Sequence, residues 1–246
     1  MTKTDAPKKI RNSTQDSVYH ALRKSILTLN LLPGTAISEK EISLRYEVSR
    51  TPVREAFIHL SKESLVQVIP QKETLVSLID LKRVEQEHFL RESLEMAVLE
   101  PFIKNAQSHH FKELQRYIDM QAELTDGKEY VRFVACDDGF HKTFFDAAGQ
   151  LLSWEIIENM SGHYFRVRLL TIWLKGVAAD IVGQHQKLLD ALRNKELGNA
   201  RKLLSRHLHK LNIEEKMLLK EFPAYFVKEA QRNTFDVDFG GLNLSR

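Results

Sequence analysis

The sequence predicts a mostly α-helical protein in two parts, a small head with a β-hairpin and an all-helical bundle behind it. Three observations carry this. Apolar positions recur at helical spacing through the first third and give way to two short β-branched runs near residues 65–79. From residue 81 to about 222 the spacing is helical, with interruptions at Gly127, Gly149, Gly176 and Gly198. The charge also divides there: residues 1–79 hold 12 Lys and Arg against 8 Asp and Glu, whereas residues 80–246 hold 24 against 25. A basic head on a near-neutral body is a modest sign of a polyanionic partner.

Each element follows from local chemistry. Residues 1–12 are polar and lysine-rich and read as a disordered leader; the head spans 13–79. Val18, Leu22, Ile26 and Leu29 line one face of a first helix, which "LLPGTAIS" ends with Pro33 and Gly34. Ser38 and Glu41 form an S-x-x-E capping box opening a second helix, with Ile42 and Leu44 expected inward. "EVS" turns into a third helix, "RTPVREAFIHLSKES", whose Pro52 lies in the first turn, where a missing N–H costs nothing. "LVQVIP" and "TLVSLI", joined by "QKE", form a hairpin. The second part, 80–226, reads as helices near 81–106, 109–125, 128–147, 150–174, 178–194 and 197–220, with Pro101 expected to kink or split the first. A tail, 227–246, follows, and its last stretch has no periodicity.

No apolar run approaches the ~18 residues that span a bilayer, so no membrane partner is expected. The N-terminus lacks the apolar core of a secretory signal, and the single cysteine, Cys136, fits a reducing cytosol, so a cytoplasmic protein is expected. There is no H-E-x-x-H motif, nucleophile elbow or G-x-G-x-x-G, and Glu85/His88 is the one E-x-x-H pair where a di-iron bundle needs two. No catalytic residue is assigned and no enzyme is expected. A metal-dependent hydrolase is one rival reading, and a DNA-binding dimer that takes no ligand is the other.

Three helices and a two-stranded wing make a winged helix-turn-helix, whose third helix enters the DNA major groove. "VSRTPVREAF" sets Ser49, Arg50, Thr51 and Arg54 at the start of that helix. Arginine can fork onto guanine or phosphate, and hydroxyls and helix N–H groups hold phosphate. On these residues alone, a capped helix with two surface arginines accounts for the pattern equally well. The whole stretch "LLPGTAISEKEISLRYEVSRTPVREAFIHLSKESLVQVIPQKETLVSLID" resembles the DNA-binding domain of the GntR family of bacterial transcription regulators, through "PGT", "SRTPVREA" and "VIPQK". The resemblance implies binding to a double-stranded operator by Lys40, Arg50, Thr51 and Arg54, with a further contact from the wing. Two positions depart from it: Ser64, and Glu73 at the wing tip, stand where the family has glycine.

In "DDGFHKTFFDAAG", Asp137 and His141 are four apart and share one helix face. His185 lies on a stripe with Ile181, Leu188, Leu189 and Leu192, and His207 on one with Leu203, Leu204 and Leu211; His209 faces away. Asp138, three before His141, could reach the same point as Asp137. "FLRESLE", "DDGFHKTFFDAAG", "HYFRVRLL", "GQHQKLLDAL" and "ARKLLSRHL" resemble the FCD effector domain of FadR-like GntR regulators. That resemblance implies a divalent metal ion on Asp137, His141, His185 and His207, and it is the family register that prefers Asp137. Three imidazoles and a carboxylate suit zinc first, with Ni, Mn or Fe also served. For a small carboxylate effector beside the metal, Arg91 and Arg166 are the candidates; Arg168 lies roughly 200° from Arg166 on a helix, so both do not face one point. A homodimer on a palindromic operator, acting as a repressor, is the expected assembly.

Overall fold

The computed structural model describes residues 14–69, 73–174 and 176–228, and the side chains of 14, 15 and 210–214 fall outside it. The leader at 1–12, residues 70–72 beside the wing tip and the tail beyond 228 lie outside the described residues.

In the head, α1 (Thr14–Leu27) packs on α3 (Arg50–Lys62), with α2 (Glu39–Arg45) beside it. Val18, Leu22 and Ile26 meet Val53, Phe57 and Leu60 in a closed core. Ser38 caps α2 by accepting the Glu41 N–H at 3.1 Å. Leu44, expected inward, is 70% exposed. It lies two residues from buried Ile42, about 200° around a helix, so one short helix cannot bury both. The wing is β2 (Val66–Val68) and β3 (Thr74–Val76), joined by an unexpected strand, β1 (Ala36–Ile37), in the antiparallel order β1-β3-β2. Two residues are too few to show a period. Ser64 sits at φ 59° between α3 and β2, a left-handed conformation that costs a side-chain-bearing residue about 1–2 kcal/mol. Glycine is free there, which gives this departure from the family pattern a physical meaning.

The bundle runs α4 (Leu81–Asn105), α5 (Ser108–Glu123), α6 (Tyr130–Ala147), α7 (Leu151–Met160), α8 (Gly162–Ile172), α9 (Val177–Arg193), α10 (Leu197–Leu208) and α11 (Lys210–Glu221). α6 is the central helix, packed against α4, α5, α7 and α8. Gly139 brings α5 and α6 close: a Cβ on it would lie 2.3 Å from the Tyr117 ring. Pro101 does not split α4, which is helical through it. The helix expected over 150–174 is two, broken at Ser161, and that over 197–220 breaks at His209. The first break has a tertiary cause. It turns the N-terminus of α8 onto the buried Glu87 carboxylate, which accepts the His163 and Tyr164 N–H groups at 2.9 and 2.8 Å. Among the described residues no helix is long and apolar enough to cross a membrane.

Candidate metal centre and DNA-facing surface

Three helices deliver four side chains to one interior point: Asp137 and His141 from α6, His185 from α9 and His207 from α10. One donor atom from each lies within 4.8 Å of the others. His207 Nε2 is 3.2 Å from His141 Nε2 and 3.3 Å from His185 Nε2. Asp137 Oδ1 is 3.4 Å from His185 Nε2, and Oδ2 is 3.8 Å from His141 Nε2. The phenylalanines of the α6 stretch wall this point off. Phe140 stacks on His185 with centroids 4.2 Å apart, and Phe144 sets its ring edge-on to His141.

The opposite nitrogen of each ring decides what the cluster can hold. His141 Nδ1 meets Glu95 Oε2 at 2.5 Å, His185 Nδ1 meets Gln121 Oε1 at 2.7 Å, and His207 Nδ1 meets Gln184 Oε1 at 2.8 Å. Each oxygen accepts the ring N–H, which turns each Nε2 toward the shared point. Three imidazole nitrogens thus face one another, that of His207 at 3.2 and 3.3 Å from the other two, with a carboxylate beside them, an arrangement that a cation between them would hold together. Metal-binding histidines are oriented in this way by partners on their far nitrogen. Burial holds His185 in the neutral form, down at about 3, and presses His207 well below its ordinary value. Burial works against ionised Asp137, but opposing charge, the Arg168 guanidinium foremost, holds the carboxyl well below the usual range. Neutral imidazoles with an ionised carboxylate are the ligand forms, and the set fits a divalent ion. Gln121 and Gln184 did not stand out in the sequence. For Gln121 a signal exists, since it continues the buried stripe of Leu114 and Ile118 on α5.

Beside the cluster lies a cavity of about 50 Å³ whose polar lining includes Arg91, Asp137, Arg168 and His207. Its walls are Phe133, Val134, Ile172, Val177 and Ile181, with Thr171 among them. Arg168 reaches Asp137 Oδ2 at 2.5 Å and Asp138 Oδ1 at 2.7 Å, so Asp138 is drawn to the arginine and stays out of the histidine cluster. Arg91 gives Nε to Glu95 at 2.5 Å, while its buried Nη2 has no hydrogen-bond acceptor; the buried Thr171 hydroxyl also lacks a partner. Arg166 is turned elsewhere. Its Nη1 donates to Ser77 O at 2.7 Å and its Nε to Gly162 O at 3.3 Å, at the junction with the head. One of the two arginines faces the cavity, as the helical angle requires, and it is Arg168.

On the head, Lys40, Ser49, Arg50, Thr51 and Arg54 are all exposed around the start of α3. Ser49 is the N-cap of α3 but its hydroxyl makes no capping bond, which leaves hydroxyl and first-turn N–H groups together on one surface suited to phosphate. Arg54 forks onto Glu39 at 2.8 and 3.1 Å, a partner that does not stand out in the sequence.

Residues 14–76 match the bacterial regulatory proteins of the gntR family, and residues 88–210 match the FCD domain, a domain that binds metal. The HTH-type transcriptional repressor RspR of Escherichia coli (strain K12) is 29% identical over 221 residues, covering 89% of this chain and 97% of that one. A transcriptional regulator in an unstable DNA locus of Streptomyces ambofaciens is 32% identical over 213 residues, covering 87% and 89%. The solved structure of E. coli McbR/YncC has the same fold, with a TM-score of 0.71 at 18% identity over 86% of this chain and 99% of that one. These families and relatives regulate transcription and are not enzymes. With a DNA-binding head and a helical effector domain both matched, the chain belongs to the GntR family of bacterial transcriptional regulators, as a member with the FadR-like, FCD-bearing architecture.

Proposed function

We propose that this chain is a metabolite-responsive repressor, acting in the cytosol, that binds a palindromic operator as a two-fold dimer. In this reading a divalent ion, zinc before Ni, Mn or Fe, sits on Asp137, His141, His185 and His207 and helps bind a small carboxylate. The observation that carries it is the meeting of three imidazole Nε2 atoms and a carboxylate beside a cavity lined by Arg91 and Arg168. When bound, the ion supplies a Lewis-acid point for an anionic oxygen. Arg91 and Arg168 supply countercharge; Arg91 Nη2, 3.7 Å from Asp137 Oδ2 and beyond hydrogen-bond reach of it, and the Thr171 hydroxyl are donors without a hydrogen-bond acceptor. At ~10–15 Å³ per water-sized group, the cavity of about 50 Å³ takes roughly three to five such groups. The walls favour a short aliphatic acid over a polyhydroxy acid, whose hydroxyls would be buried against methyl groups without partners. For the dimer, support comes from the neighbouring helices α4 and α7, which leave Phe89, Leu152, Ile156 and Met160 exposed. Apolar side chains so placed suit a second copy as their cover.

Titrating operator DNA with and without short carboxylates, on the parent and on His185→Ala, tests the reading. The effector is expected to weaken operator binding by about 5–150-fold in the parent. A response that survives complete loss of metal refutes the metal's part, and a parent indifferent to every carboxylate favours the dimer that takes no ligand.

For the head, Arg50→Ala and Arg54→Ala are each expected to weaken operator binding by ~1–3 kcal/mol through lost base contacts. Lys40→Ala should weaken binding to all sequences alike and flatten its salt dependence. Fluorescence anisotropy at several salt concentrations separates these outcomes, and three variants binding like the parent would remove α3 from the operator.

A further inference from the structure

A second cluster of donors lies on the other side of α10. α4 presents His88 and Glu92 one turn apart, and His209 caps the C-terminus of α10. One donor atom from each of the three lies within 4.8 Å of the others. His207 and His209, two residues apart, point to opposite sides of the chain, so one end of α10 serves the interior cluster and also borders this outer one.

The hydrogen bonds around the outer cluster have the same logic as those inside. His88 Nε2 meets the Leu208 carbonyl at 3.1 Å, and His209 Nδ1 meets the Ser205 carbonyl at 2.9 Å. A carbonyl accepts and cannot donate, so His88 Nε2 and His209 Nδ1 each point a ring N–H at backbone, which leaves Nδ1 of His88 and Nε2 of His209 as the nitrogens available to a metal, with Glu92 beside the N–H side of His209. Two tautomers are thereby set by backbone, as in metal-binding histidines. Glu92 is held as well: its Oε1 accepts from the Ser205 hydroxyl at 3.1 Å and lies 3.2 Å from His209 Nδ1. Burial lowers the proton affinity of His88 and keeps it neutral. The two imidazole rings stand edge-to-face with centroids 5.3 Å apart, leaving neither stacked shut against the other.

We propose that His88, Glu92 and His209 form a second divalent transition-metal site, open to solvent and distinct from the interior centre. Two imidazoles and one carboxylate select Zn²⁺, Ni²⁺ or Cu²⁺ over Mg²⁺ or Ca²⁺, which prefer oxygen. With three protein ligands, and His209 49% exposed, water completes the coordination and the ion binds more weakly than one enclosed by four ligands. An ion here ties α4 to the end of α10, whose preceding residue but one is the interior ligand His207. The outer site is thus filled after the inner one as metal concentration rises.

The test is a stoichiometric titration of the metal-stripped full chain with Zn²⁺ against a chromophoric competitor. Two equivalents are expected in the parent, one tight and one weaker by tenfold or more. His209→Ala and Glu92→Gln, both at partly exposed positions, should each lose the weak equivalent and keep the tight one. His185→Ala should lose the tight equivalent and keep the weak one, so failure of the interior assignment is told apart from failure of the outer. A single equivalent in the parent overturns the proposal. A weak equivalent that persists in both His209→Ala and Glu92→Gln also overturns it, because the ion then sits elsewhere. Mg²⁺ displacing Zn²⁺ from the weak equivalent would contradict the ligand chemistry.

Discussion

His185→Ala is expected to strip the interior ion and lower the melting temperature of the helical domain by about 8–16 °C. An ion that binds the folded state alone stabilises it by mass action, about 4 kcal/mol at a thousandfold excess over its dissociation constant. In a domain of this size each kcal/mol moves the midpoint by ~2–4 °C. The substitution also leaves a cavity against Phe140, which stacks on His185, so the variant alone would confuse two losses. Chelator separates them. It should lower the midpoint of the metal-loaded parent by most of the difference and leave His185→Ala unmoved. Elemental analysis of both proteins supplies the metal content. A parent whose midpoint ignores chelator would show that the four residues are a self-sufficient hydrogen-bonded cluster.

Arg166→Leu is expected to uncouple the cavity from the DNA-binding head while leaving metal and effector binding in place. α8 touches both. Arg168 near its C-terminal half holds Asp137, and Thr171 borders the cavity. At its other end His163 Nε2 donates to the Ser64 carbonyl and its Nδ1 accepts the Asp80 N–H, each at 3.0 Å, while Arg166 donates to Ser77. Ser64 and Ser77 flank the wing strands, so these bonds link α8, which borders the cavity, directly to the wing, and a shift of α8 on effector binding would pass through them. Allosteric coupling of 1–3 kcal/mol, about 5–150-fold in affinity, is the usual size. Leucine fills much of the volume of the arginine stem and removes the bond to Ser77, and the fold change between effector-free and effector-bound operator affinity should fall toward one. Calorimetry of effector binding controls for damage to the cavity. A variant that binds operator and responds to effector like the parent would take α8 out of the path.

Much of this protein was legible because the relevant physics is local. The i, i+4 spacing of Asp137 and His141, the apolar stripes that carry His185 and the Ser38 capping box are properties of a single helix. A single helix also predicts that Arg166 and Arg168 diverge, but it cannot say which faces the cavity. That depends on where the head docks, because the Ser77 carbonyl takes Arg166 and leaves Arg168 for Asp137 and Asp138. The separation of Asp137 from Asp138 has the same origin: they are adjacent on α6 and both reach Arg168 of α8, but it is Asp137 that also meets His185 of α9. The breaks at Ser161 and His209 interrupt no apolar period, and the first is made by Glu87, 74 residues upstream of Ser161. Strand β1 exists because β3 returns to pair with it. By itself the sequence determined most of the helical stretches and of their buried faces, and its family resemblance named the four residues that could meet. The tertiary structure decided which buried polar groups found partners, because a buried group's partner is set by the helices packed against it and lies far away along the chain.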